Sequence, residues 1–407
     1  MAPSSLPEQA LSDMRVLDLT HNLTGPYATK LLADYGADVI KIERPDGDPA
    51  RTIGPFKGDD PHPEKSLTFF HLNMNKRGIT LNLKSPTGKG IFKEMVKTAD
   101  VVVENFRPHV MSELGLSWDV LKKINPKLVM TSISNFGQSG PYAEYKGTEL
   151  VMYGMGGPLH SKGKAEREPI SLSVPTTVYH GSVVALVGTM GAFYGAKLGG
   201  VGQHVDSSIM EGLLGSVDGR IGVLLGYQYS GLNSVREPGS GGFANGIFPC
   251  QDGYFVIAAS GGRMWPRLMK MMGEPEELMD PSFLTPLGQR NPANRDLFEA
   301  VLIGWAIGHT KKEIVKLGEE NGLICSALNT MEEVEQDPHF NFRKAFIEVE
   351  HPVLGKVKTV GHAIVMNGTP YAFRRPAPLL GQHTAQILGD LGYSKTDLVR
   401  LRQTGVI

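Results

Sequence analysis

Over the first 140 residues, short unbroken apolar runs alternate with stretches in which apolar residues recur every three or four positions. RVLDLT (15–20), DVIKIE (38–43), ITLNLK (79–84), DVVVENF (100–106) and KLVMTSISNFG (127–137) are of the first kind and predict strands. PYATKLLADYG (26–36) and SPTGKGIFKEMVKTA (85–99) are of the second and predict helices. Gly36 marks a C-terminal stop, and Ser85 followed by Pro86 marks an N-cap and a first helical position. Strands separated by helices predict right-handed βαβ units and a mainly parallel sheet. Ligands collect at the carboxyl ends of such strands. That singles out His21 to Gly25, Glu43 and Arg44, Lys84, and Asn105 to Arg107.

Past residue 180 the pattern changes. GSVVALVGTMGAFYGAK places Gly181, Ala185, Gly188, Ala192 and Gly195 at three- and four-residue intervals, which predicts a buried helix with a small-residue face for close packing. A Gly-rich stretch (236–246), a strand pair around GIFPCQDGYFVIAAS and amphipathic segments such as KKEIVKLGEEN predict a smaller α+β domain over 226–330. Residues 1–225 with 331–407 form the expected large domain. Its tail, TAQILGDLGYSKTDLVRLRQTGVI, reads as two helices joined at Gly392 and packed back on that domain.

Charge and cysteine content narrow the function classes. With 41 basic and 42 acidic residues there is no broad field for nucleic acid or anionic lipid, so any anion must be bound locally. Cys250 and Cys325 form neither a CxxC nor a Cys/His cluster, so no disulfide framework and no metal site are expected, and a reducing cytoplasmic setting is. No window of 18 unbroken apolar residues predicts a membrane span, and MAPSSLPEQALSDM lacks the pattern of a signal peptide.

Generic motifs add little. YGMGGPLHSKG and PGSGGFANG are glycine-rich, but neither has the GxGxxG or GK[ST] form that cradles nucleotide phosphates. His180 is a candidate general base and His21 a candidate ligand contact, each against the plainer reading of a structural histidine. Arg44, Lys84, Arg107 and Lys146 suit a long polyphosphate if they converge, and are otherwise solvated surface charge. Phe243, Met155 and Tyr179 are candidates for an apolar acyl pocket, with core packing as the alternative.

The order of segments carries more than any single motif. VLDLTHNLTGPYATKLLADYGADVIKIERPDGDPAR, NMNKRGITLNLKSPTGK, ADVVVENFRPHVMSELGL, NPKLVMTSISNFGQSGPY, GVGQHVDSSIMEGLL and APLLGQHTAQILGDLG closely resemble the class III coenzyme A transferases, over about residues 14–407. That group includes formyl-CoA transferase, carnitine CoA-transferase and the α-methylacyl-CoA racemases. The resemblance implies an α/β fold with a Rossmann-like large domain, a smaller domain and two subunits interlocked like rings. It implies CoA thioesters and carboxylic acids as substrates. Matched motif to motif, its CoA contacts fall on His21, Asn22, Arg44, Leu81, Lys84, Asn105, Phe106 and Lys146. Formyl-CoA transferase carries an arginine where this chain has Glu113, and Arg107 is the candidate replacement.

Transferases of this group use an aspartate that attacks the acyl-CoA carbonyl and leaves again, which requires an ionised carboxylate. Counting back from GQHVD places that aspartate at Thr177, inside a run free of acids between Glu168 and Asp206. The histidine that racemases pair with it falls on Thr148. Three readings follow. The chain is a subunit lacking its own nucleophile and paired with an aspartate-bearing paralogue, in resemblance to the two-subunit benzylsuccinate CoA-transferases; or an active homo-oligomer using another carboxylate, for which Glu149 is the candidate; or a CoA-thioester binding protein without chemistry.

Overall fold

The computed structural model describes residues 9–163, 165–172, 174–216, 220–233, 236, 243–259 and 262–407. Six strands, β1 (Arg15–Asp18), β2 (Asp38–Glu43), β3 (Arg77–Thr80), β4 (Val101–Glu104), β5 (Val129–Ser134) and β6 (His204–Ser208), form one sheet in the order β3-β2-β1-β4-β5-β6. Every pairing is parallel. The order reverses direction between β1 and β4, and the two strand exits there bound a crevice.

The sheet is apolar on both faces, as a parallel sheet covered on both sides requires. Leu17, Ile40, Val102 and Met130 on one face pack with Ile91, Phe92, Leu121 and the tail residues Ile387, Leu388 and Leu401. Val16, Val39, Val101 and Val129 on the other pack with Ala28, Leu32, Ala185 and Ala192. The first face is therefore covered by helices Pro86–Val96, Trp118–Ile124 and the tail pair Thr384–Asp390 and Lys395–Gln403. The second is covered by Thr24–Asp34 and Thr176–Gly199. Ser85 caps its helix as expected, its hydroxyl accepting from Gly88 N–H at 2.9 Å. Gly392, at φ +94°, turns the chain between the two tail helices.

Two expectations needed correction. The segment 79–84 is strand only to Thr80, because beyond it Asn82 N–H bonds to Val406 O of the tail at 2.7 Å rather than to a neighbouring strand. The small-residue helix spans Thr176–Gly199 and is buried on one face only. Gly181, Ala185 and Ala192 are enclosed, whereas Val187, Tyr194 and Leu198 are 67%, 62% and 71% exposed, since the helix is apolar all round. By length and composition alone it could cross a membrane, yet 39% of its most apolar window is buried within this chain, as in the core helix of a folded domain. Here a Thr131–Thr189 hydroxyl pair at 2.8 Å ties it to β5.

The chain divides into two compact units, one of residues 1–159, 171–233 and 342–407 and one of 160–170 and 234–341. The six-stranded sheet belongs to the first, as does a hairpin of β10 (Phe346–His351) and β11 (Gly355–Val360). The second is built on the antiparallel strands β7 (Asn245–Cys250), β8 (Gly253–Ala258) and β9 (Ile324–Ala327). Its core stacks Phe243, Trp265, Phe283 and Phe298. Of the glycine-rich stretch 236–246, residues 237–242 lie outside the described residues.

Candidate active site

The exits of β1 and β4 are stitched together by one side chain. Asn105 accepts from His21 N–H at 2.9 Å and donates to His21 O at 2.8 Å, so His21 is held by its backbone and its imidazole lies 5.4 Å from the Phe106 ring. Asn22 follows in the left-handed region at φ 63°, its N–H donated to Asp48 at 3.0 Å. Gly25 then lets helix Thr24–Asp34 close on this turn, because a Cβ there would lie 2.2 Å from the Thr20 side chain.

Beneath the turn is a buried charge pair. Lys41 Nζ bonds Asp48 at 2.6 Å and also the Thr20 carbonyl, with both side chains almost fully enclosed. Burial opposes the charged form of each. Their mutual attraction, with help from Asp18 and Glu43 on the lysine, outweighs it, raising the lysine and lowering the aspartate. His21 is pushed down by burial, further helped by Lys41 and Arg44 against the pull of Asp48, so it is neutral at pH 7.

Two cavities open at these exits. The larger, of 480 Å³, is lined by His21, Arg44, Leu81, Lys84, Phe106 and neighbours from each strand end. The smaller, of 280 Å³, is lined by His21, Asn22, Asn105, Phe106, Arg107, Ser134, Asn135 and Val178. They share His21 and Phe106. Arg44 is exposed and pairs with Asp46 at 3.3 Å, Lys84 is exposed, and Leu81 is buried with its N–H on Glu43 O. Arg107 lies in the smaller cavity, away from the set around Arg44. Glu113 is exposed one turn along from the larger cavity's Val110. Lys146 is exposed and lines neither, although its neighbours Tyr145 and Gly147 line the smaller one.

Thr177 occupies the first turn of the long helix and is fully buried, its hydroxyl without a hydrogen-bond partner. Glu149, at the start of helix Glu149–Met155, accepts Thr177 N–H on one oxygen at 2.7 Å and Val178 N–H on the other at 3.1 Å. The carboxylate thus caps the long helix from outside it, where two unpaired amides and the positive end of the helix dipole favour a negative charge. It borders a separate 260 Å³ groove with Leu150, Tyr153, Leu172 and Val174.

The residues expected to line an acyl pocket do not gather. Phe243 is in the aromatic core of the smaller unit, Met155 is 45% exposed, and Tyr179 stands edge-on to Tyr27 at 4.8 Å. His180 bonds the Gly212 carbonyl at 3.1 Å rather than facing either cavity. No group of acidic, histidine and cysteine side chains suited to a metal occurs among the described residues.

The sequence model described as CoA-transferase family III matches residues 11–384. The chain belongs to CoA-transferase family III. As a member of this family it resembles succinyl-CoA–D-citramalate CoA-transferase of Chloroflexus aurantiacus, 34% identical over 99% of this chain and 100% of that one. It also resembles formyl-CoA:oxalate CoA-transferase of Streptomyces coelicolor, 33% identical over 98% and 99%. A solved CAIB/BAIF family protein from Brucella suis superposes with a TM-score of 0.83 at 28% identity, covering 94% of this chain and 100% of its own. The family's substrates are CoA thioesters.

Reasoning from sequence missed Ser134, Asn135 and Tyr145 as lining residues, because each ends a strand or sits beyond one without a charge to draw notice. It also missed Lys41 and Glu104. There the signal was present: an ionisable group inside DVIKIE and another closing VVVE, in strands otherwise apolar.

Proposed function

We propose that this class III CoA-transferase chain binds a CoA thioester across the two cavities and relies on a paralogous subunit for the aspartate that attacks the acyl carbonyl. The observation that carries the reading is the first turn of helix Thr176–Gly199. Position 177 presents a buried hydroxyl, no acid occurs from 169 to 205, and both oxygens of the nearby Glu149 are engaged by Thr177 N–H and Val178 N–H.

In this reading Arg44 and Lys84 receive the phosphates at the wide cavity, with Leu81 beneath the nucleotide. His21, Asn22, Asn105 and Phe106 wall the passage along which the pantetheine arm runs. The acyl group then lies in the smaller cavity near Val178. Its lining of three asparagines, a serine and Arg107 suits an acyl group or acceptor with a second carboxylate, and Arg107 gives that carboxylate a counter-charge. The relatives' named substrates citramalate and oxalate are of that kind. Neutral His21 adds no competing positive charge.

Chemically, the attacking group must bond to the thioester carbon as thiolate departs, then leave in its turn when the acceptor is activated. A carboxylate does both at neutral pH. A threonine hydroxyl must first lose a proton, and its ester does not readily return a thioester. Glu149 with each oxygen holding an amide is suited to fixing the helix start rather than to attack.

The test is incubation of the purified chain with succinyl-CoA and related thioesters, followed by hydroxylamine trapping and peptide mass spectrometry. No acyl or CoA adduct is expected on the chain alone, with turnover appearing when an aspartate-bearing paralogue is added. CoA itself raises the melting temperature, by about 2.7 kcal/mol of added stability at a hundred times its Kd. A stoichiometric adduct on Glu149 would instead make this chain a self-sufficient enzyme.

A further inference from the structure

We propose that Glu104 is a positioning residue whose carboxylate, reached by solvent protons through His204 and Ser132, holds the Asn105–Arg107 turn against both cavities and makes CoA affinity depend on pH. The inference rests on the reading that CoA occupies those cavities.

The strand registers set the arrangement. Glu104 is the register partner of Ser132 on β5, and Ser132 that of Asp206 on β6, so three polar side chains stand in a row across neighbouring strands. His204 lies two residues before Asp206, on the same face of β6. Ser132 Oγ is 2.8 Å from His204 Nε2, and as the register partner of Glu104 its hydroxyl lies close enough to favour the ionised carboxylate. One Glu104 oxygen accepts Phe106 N–H at 2.8 Å. His204 itself is exposed and stacks on Trp118. A row of polar side chains therefore leads from solvent, through His204 and Ser132, to the carboxylate that accepts the amide anchoring the turn.

That turn matters because its three residues bound the site. Phe106 lines both cavities, Asn105 clamps His21 on both backbone atoms, and Arg107 lines the smaller cavity. Phe106 N–H is donated to an ionised carboxylate above the transition and to a neutral acid below it. Charge-assisted hydrogen bonds are about twice as strong as neutral ones.

Burial and the neighbouring Asp206 charge set the direction of the switch. Burial in the strand layer raises its carboxyl to about 7, the Ser132 hydroxyl and the Phe106 amide hold it down in part, and the Asp206 charge adds to the rise. Asp206 is fixed by Gln138 N–H at 3.1 and 3.0 Å, and Asp119, on the Trp118 helix, acts on His204 rather than on Glu104. Proton entry balances within the chain. His204 takes a proton on Nδ1 and gives its Nε2 proton to Ser132 Oγ. Ser132 gives its own proton to Glu104, and the imidazole is left as the other neutral tautomer.

The experiment measures the Kd for CoA of the wild-type chain and of Glu104→Gln by calorimetry from pH 5.5 to 8.5. Taking the ratio of the two constants cancels the titration of CoA's own phosphates. The variant's amide stays neutral throughout, so the ratio is expected near one at pH 5.5 and to rise to about fivefold against the variant above pH 7.5, with a midpoint near 7. A ratio that does not change with pH, whether one or a constant loss, would overturn the proposal and leave Glu104 a structural residue. Ser132→Ala covers a glutamine variant that does not fold. Removing a donor to the ionised form must move the wild-type transition to higher pH, and an unmoved midpoint also overturns the proposal. A wild-type chain that binds no CoA at any pH removes the CoA reading as well, whereas binding with a flat ratio removes only this inference.

Discussion

Glu104 ends a strand whose other residues are valines, and a carboxyl placed there must reconcile a hydrogen-bonding task with burial. Its folded value near 7 lies above the ordinary 4.5. Between those values the folded chain therefore holds a proton that the unfolded chain has released. The stabilisation is complete below about 4.5 and is lost as pH rises through 7, at a total of about 3 kcal/mol. Urea denaturation of wild type and Glu104→Gln across pH 4.5–8 is expected to show wild type losing that much relative to the variant. Parallel curves would mean that Glu104 titrates normally. The residue scale is also where the sequence was least readable. Arg44 and Lys84 reach one cavity as their strand-exit positions suggest, and Leu81 reaches it as the family resemblance implies. Arg107 lines the other and Lys146 neither, since the residue pattern along a strand does not set where a loop past its end turns.

Elements were more legible than contacts. The runs at 38–43, 100–106 and 127–137 became central strands because each is apolar on both faces, and the helices at 26–36 and 85–99 formed where caps and periodicity agreed. The hairpin at 346–360 went unread, since its alternating Glu and Lys leave one face polar and give a weak apolar signal. The long helix was recognised, but its glycines are unequal. A Cβ on Gly181 would sit 3.0 Å from two Ile209 side-chain carbons, whereas one on Gly195 meets nothing within 4 Å. Gly181→Leu is expected to cost about 1–3 kcal/mol by overpacking. Gly195→Ala in the same helix is expected to add about 0.5–1 kcal/mol. Thermal unfolding of the two variants decides, and equal losses would mean that the space directly over Gly195 is filled in the assembled protein.

At the scale of the whole molecule, the uncovered apolar side of that helix, with Val187, Tyr194 and Leu198, is more than a lone chain would leave to water. We propose an interlocked assembly with a copy or a paralogue. Size-exclusion with light scattering should find a dimer or larger species, and a clean monomer at micromolar concentration would contradict it. The tail has a different bearing on how the molecule comes into being. Edge strand β3 is met by the far end of the chain: Gly78 N–H bonds His383 Nδ1, Thr80 N–H bonds the Thr384 hydroxyl, and Asn82 N–H bonds Val406 O, just before Lys84. During synthesis the ribosome releases β3 roughly three hundred residues before these partners. Until they emerge, the edge stays open and the loop carrying Lys84 has nothing to brace it. Products that stop short of residue 383 are thus left with an adhesive strand and an unbraced loop at the mouth of the wider cavity.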